Sequence, residues 1–293
     1  MRAILRLSVS AAVIVLLIAT AFGVSGCASG DSGYAATEYA ATEAENLRAH
    51  RLEELALTHD LDADTLLAYY HMVLASWRER DGYNDTDWRL EYFGSNETNT
   101  LAFAHEIDLR LIVTFRGSQI PSNRTDLRHN FRFRPKRVPF EHTPEAVSAH
   151  RGFLEKYLSI REDLHAVVKR SNRPEIVLNG HSAGGALAAL AYFDLKRSYP
   201  SRRVRAITFG MPRVFNRRGA DIINRERDRV IRVVNGDDIV PRLPFRFFGY
   251  RHVGRAVELS PRRWYRPFSQ YDHHPGYRKE LERRAGKDAP WLR

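Results

Sequence analysis

Ser182 lies in Gly180-His181-Ser182-Ala183-Gly184, directly after the apolar run Ile176–Leu178 and directly before Ala183–Lys196, an alanine- and leucine-rich stretch without proline. Strand, small-residue turn and helix, in that order, form a nucleophile elbow. Glycines at 180 and 184 leave room for a sharp turn that holds the hydroxyl clear of the backbone, and the helix aims its first amides at whatever the serine attacks. The pattern predicts covalent acyl transfer. A serine hydroxyl is a weak nucleophile at neutral pH, so it needs an imidazole base, and the base needs a carboxylate to fix its tautomer. In sheets of this kind the partners follow as acid, then histidine, from loops beyond later strands. After the apolar run Val230–Asn235 come Asp237 and Asp238, and farther on only His252, His273 and His274. No metal and no organic cofactor is required for this chemistry.

The elements that must position these groups follow from hydrophobic patterning. Glu43–Thr58 and Thr65–Glu79 have helical composition, the second capped by Asp64. Arg89–Phe93, Leu101–His105 and Leu109–Phe115 read as strands, and Pro144–Lys169 holds a long helix. Strands at Glu175–Asn179, Val204–Gly210, Val230–Asn235 and Val253–Leu259 then alternate with helices at Ala183–Lys196, Gly219–Glu226 and Gly276–Ala285. This alternation implies an α/β fold, a mainly parallel sheet with helices on both faces. No Pro/Gly-rich break divides the body, so it reads as one domain.

Five blocks, in order, resemble the class 3, or fungal-type, lipase family of the α/β-hydrolase superfamily. They are Thr114-Phe115-Arg116-Gly117-Ser118, His150-Arg151-Gly152-Phe153, Asn179–Leu187, Thr208–Val214 and Asn235–Pro244. The resemblance implies Ser182 as nucleophile and Asp238, directly before Ile239-Val240-Pro241, as the acid. It implies His274 as base, because Tyr277 follows three positions later. The oxyanion hole would comprise the backbone N–H of Ala183 and Ser118, by its N–H and hydroxyl. His150, His181 and Arg116 are expected to be structural, and His252 structural or at the surface. In place of the amphipathic lid with an exposed tryptophan found in many relatives, residues 119–126 are polar apart from Ile120. The implied activity is hydrolysis of acylglycerol esters through an acyl-enzyme.

The start of the chain reads differently. Arg2 and Arg6 precede an uncharged apolar run from Leu7 to Val24, and Val24-Ser25-Gly26-Cys27 resembles a bacterial lipobox. Cys27 is the only cysteine, so it cannot form an intramolecular disulfide and is the expected lipid attachment site. The expected organisation is a lipoprotein signal over 1–27, a tether over 28–45 and the hydrolase domain over 46–293, with the protein exported and lipid-anchored in a bacterial envelope. An uncleaved membrane anchor is the alternative reading of the apolar run. The formal charge of +11 favours anionic surfaces. Arginines alternate with aromatic residues over 124–140 and 242–265, a mix suited to a lipid interface and more weakly to nucleic acid. The expected partners are an acyl-ester substrate and a membrane surface, with no nucleic acid. Phospholipids are a rival substrate class, and an inactive binding lipoprotein is a rival of another kind.

Overall fold

A computed structural model describes residues 62–77, 91–119, 123–261 and 270–285. The signal, Cys27, the tether, the helix expected at Glu43–Thr58, Ile120 and the aromatic residues Trp264 and Tyr265 lie outside the described residues.

The main sheet is built from strands β1 (Glu91–Ser95), β2 (Thr100–Ile107) and β3 (Arg110–Phe115), followed by others placed farther along the chain. A smaller sheet uses β4 (Pro135–Arg137) and β5 (Ser148–His150). The main sheet resumes with β6 (Glu175–His181) and β7 (Arg203–Phe209). After β8 (Phe215–Asn216) come β9 (Val230–Asn235), β10 (Tyr250–Arg251) and β11 (Arg255–Ser260). The main sheet has seven strands in the order β1-β2-β3-β6-β7-β9-β11, and β10-β8-β5-β4 form the second sheet. The first two pairings of the main sheet are antiparallel and the rest parallel.

Its central strands are buried on both faces, as near-continuous apolar runs require. Alternation sends Ile176 and Leu178 of β6 into one core and Val177 into the other. The first core lies under the helices Arg151–Leu158, Arg161–Arg170 and Ala183–Ser198. The second lies under the helices Ala63–Ala75 and Pro275–Ala285, through residues such as Leu67, Tyr70, Tyr277 and Leu281.

Three local expectations are corrected. The first described helix is capped by Asp62, whose side chain accepts from Thr65 N at 2.8 Å, and not by Asp64, which falls in its first turn. The stretch 144–169 is a short strand and two helices in place of one long helix, the break falling at Ser159 and Ile160. A seven-residue helix, Arg124–Asn130, occupies part of the polar stretch read as the place of a lid.

Candidate active site

β6 ends at His181, and Ser182 turns the chain into the helix Ala183–Ser198. Ser182 holds φ +56° and ψ −123°, a conformation an L-residue adopts only under constraint from its surroundings. Its N–H donates to Phe209 O at 2.9 Å, and its own carbonyl accepts from Ala186 N at 3.2 Å. The flanking glycines are sterically required. A Cβ on Gly180 would lie 2.4 Å from the carbonyl carbon of Gly184, and one on Gly184 would lie 2.1 Å from Phe115 O. Close approach of three backbones thus makes the elbow.

Asp238 stands in the loop after β9, and His273 ends the short helical turn Gln270–His273 beyond β11. Both are at the carboxyl edge of the parallel strands, where open α/β sheets place their crevices. His273 Nε2 lies 3.0 Å from Ser182 Oγ, and His273 Nδ1 lies 2.9 Å from Asp238 Oδ2. The carboxylate is buried and His273 nearly so, at 1 % and 6 % exposure. Asp238 Oδ2 also accepts from the Tyr277 hydroxyl at 2.8 Å, and Oδ1 accepts from Val240 N at 2.9 Å. Burial, and next the Asp238 charge, hold the Tyr277 phenol well above its usual range, so it remains a donor. The backbone N–H of the neighbouring Asp237 donates to Asp272 Oδ2 at 2.9 Å.

The expectation for His274 is corrected here: the imidazole on Ser182 belongs to His273. Two adjacent carbonyls fix the choice. His181 Nε2 donates to His273 O at 2.8 Å, and the Tyr70 hydroxyl donates to His274 O at 3.0 Å. With the backbone so held, the neighbouring rings diverge. The His274 ring meets Trp77 and His181 edge-on, each centroid 5.7 Å away. His181 is kept neutral, its pKa pushed well below the usual value by burial and then by His273 and His274, which suits a ring donating from Nε2. His150 caps the helix Arg151–Leu158, its Nδ1 accepting from Phe153 N at 3.4 Å.

Ser118 follows β3 and, with Ala183, lines the cleft that contains Ser182. Ser118 Oγ is 3.2 Å from Asn130 Nδ2. The loop bearing it is tied by Asp126, which the sequence reading missed. Asp126 Oδ2 accepts from Gln119 N at 2.7 Å and Asn99 Nδ2 at 2.8 Å, and Oδ1 meets Lys156 Nζ at 2.5 Å. Both members of this ion pair are buried. Arg116 anchors the same corner, its Nη2 donating to Asn99 Oδ1 at 2.9 Å. Leu127, Phe131, Phe133, Leu243, Phe245 and Phe248 make most of the remaining cleft apolar. A hydroxyl, an imidazole and a carboxylate in hydrogen-bonded sequence, at the foot of an apolar cleft, can attack the carbonyl of an ester with a hydrocarbon tail. Among the described residues no group of side chains is arranged to hold a metal ion.

The comparisons agree with this architecture. Residues 112–248 match the family model described as Lipase (class 3). A secreted mono- and diacylglycerol lipase of Malassezia globosa is 30% identical over 161 residues, covering 52% of this chain and 53% of that protein. A second from the same organism is 27% identical over 182 residues, 59% of each chain. This chain therefore spans little more than half the length of these relatives. Among solved structures, a lipase from Rhizopus microsporus var. chinensis is similar with a TM-score of 0.53 at 26% identity, over 74% of this chain and 75% of that one. The Rhizomucor miehei triacylglyceride lipase gives 0.54 at 24% identity, over 75% and 82%. The fold is that of the fungal α/β-hydrolase lipases, and residues 112–248 carry the sequence pattern of the class 3 lipases.

Proposed function

We propose that the protein is a serine carboxylic-ester hydrolase acting on acylglycerol esters. The hydrogen-bonded run from Ser182 through His273 to Asp238 is the observation that carries this reading. Ser182 Oγ attacks the ester carbonyl while His273 Nε2 takes its proton. Asp238 holds Nδ1–H and stabilises the imidazolium. The carbonyl oxygen, now negative, is met by the backbone amides of Ala183 and Ser118, and each such donor lowers the barrier by about 3 kcal/mol. His273 returns the proton to the departing alcohol, then activates the water that frees the acid. The apolar cleft holds the acyl chain. The names of the relatives, secreted lipases of mono- and diacylglycerols, support the substrate class and export.

A fluorophosphonate probe tests the reading. Labelling of the full chain at Ser182, lost in Ser182→Ala, is expected. A folded protein that takes up no label and hydrolyses no tributyrin would be an inactive binding relative. For the N-terminus, the reading is a lipid-anchored envelope protein modified at Cys27. Mass spectrometry of the mature N-terminus checks this, and an unmodified cysteine would remove the anchor.

A further inference from the structure

Beside the acyl cleft lies a second concavity, of about 540 Å³, lined by Arg213, Arg217, Arg246 and Arg251 together with Asp221, Asn224 and His252. Arg217 has a distant partner, Asp221 at 3.8 Å, with both side chains exposed. No carboxylate among the described residues pairs with the other three. Backbone carbonyls orient two of them instead. Arg213 donates to the carbonyls of Arg242 and Pro244, and Arg251 donates to those of Arg246 and Tyr250. Burial first, then the charges of Arg246, Arg251 and Arg242, push the Arg213 pKa down to about 10. Four guanidinium groups against the single exposed carboxylate of Asp221 leave the concavity cationic, and guanidinium forks match phosphate oxygens.

The concavity and the acyl cleft share a wall. Pro212 lines the cleft and Arg213 the concavity. One turn, 245–248, points three ways: Phe245 and Phe248 into the cleft, Arg246 into the concavity, and Phe247 into solvent at 73 % exposure. The Phe247 ring stacks on Phe245 at 5.5 Å and meets Phe248 at 4.4 Å, so the exposed aromatic group continues the apolar lining outward. A cationic site and an outward aromatic side chain at the mouth of an apolar cleft match a phospholipid interface, where phosphates lie just above the hydrocarbon.

We propose that the arginine concavity binds the phosphate of anionic phospholipid headgroups and, with Phe247 entering the interface, seats the mouth of the acyl cleft on an anionic lipid surface. The proposal goes beyond the hydrolase reading and stands without it, because its readout is binding. The full chain carrying Ser182→Ala is sedimented with vesicles of phosphatidylcholine alone or mixed with phosphatidylglycerol. Its preference for the anionic vesicles is expected to fall about 30-fold when Arg246→Gln and Arg251→Gln are added, and to fall with salt before they are. Comparing variants with the same N-terminus cancels any anchoring by residues 1–27. Phe247→Ser is expected to weaken binding to both vesicle types. On the Ser182 background, the double arginine variant should hydrolyse a soluble short-chain ester at the unaltered rate, which shows that it folds. Soluble sn-glycerol 3-phosphate should bind roughly 100-fold more weakly than the anionic vesicles, since a surface offers many headgroups at once. An unchanged vesicle preference in the double variant overturns the proposal. Equal affinity for glycerol phosphate and vesicles also overturns it, by making the ligand a free phosphate ester.

Discussion

The hydroxyl of Tyr277 and Nδ1 of His273 meet on a single oxygen, Asp238 Oδ2, at 2.8 and 2.9 Å. The phenol therefore sets how much negative charge Asp238 offers to the imidazole, and holds the carboxylate in line with it. The same phenolic oxygen accepts from Asn235 N at 3.1 Å, joining the end of β9 to the C-terminal helix. In Tyr277→Phe the ring still fills its site but both bonds are lost. Stability is expected to fall by about 1–3 kcal/mol, because the Asn235 amide is left buried without a partner. The kcat should fall about tenfold with little change in KM, as expected for a group acting on the base. Steady-state kinetics and urea denaturation measure the two; an unaltered kcat would remove the positioning role.

The elbow glycines give a steric prediction. Gly184→Ala would set a methyl group 2.1 Å from Phe115 O, where backbone, not a movable side chain, must give way. A loss of about 3 kcal/mol is expected, with hydrolysis reduced well beyond the unfolded fraction. Gly249→Ala has nothing within 4 Å of the added carbon and tests φ alone, at +89°. It should cost less, about 1 kcal/mol. Thermal denaturation of both variants compares the two mechanisms, and equal losses would contradict the steric account.

Much of this was legible in the sequence because it depends on local rules. A sharp turn between buried strand and helix demands small residues, and Gly180 and Gly184 carry that demand openly. Buried parallel strands appear as apolar runs, so β6, β7 and β9 were placed to within two residues. Which imidazole faces Ser182 was not legible from spacing. His273 and His274 are chemically identical neighbours, and Tyr277 lies one helical turn from either. The choice is made by Tyr70 and His181, which hold adjacent carbonyls from elements remote in sequence. Asp126 was hidden for a similar reason, since its partner Lys156 is thirty positions away. The small sheet escaped because strands as short as Phe215–Asn216 and Tyr250–Arg251 show no alternation.

The Asp126–Lys156 pair gives a test of what holds the Ser118 loop. Lys156→Met leaves a buried carboxylate without its cation, at an expected cost of about 3–5 kcal/mol. Asp126→Asn combined with Lys156→Met restores neutrality and should recover much of that loss. It leaves the Gln119 amide with an uncharged acceptor, so kcat is expected to remain several-fold low. Denaturation and kinetics on the single and double variants measure the coupling; additive losses would show that the two side chains act independently.

Buried neutral histidines set an acid limit on stability. Burial lowers the His105 pKa to about 4 and the His150 pKa to about 3, against 6.5 for the unperturbed side chain. The unfolded chain thus takes up these protons before the folded one does. Stability is complete above about pH 6.5 and falls as the pH drops through the interval down to each folded pKa. For His105 the full interval amounts to about 3 kcal/mol. Urea denaturation between pH 7.5 and 5 should show the decline, and His105→Gln should flatten it. A slope that this substitution leaves unchanged would contradict the assignment.

The most direct test of the central claim compares two neighbouring imidazoles. Hydrolysis of a soluble short-chain ester is measured for the full chain carrying His273→Gln and for that carrying His274→Gln, with circular dichroism to establish that each is folded. A fall of about 10⁴ in kcat is expected for His273→Gln, as for the loss of a triad member, and a fall of less than about tenfold for His274→Gln. The reverse order, or an active His273→Gln protein, would contradict the account.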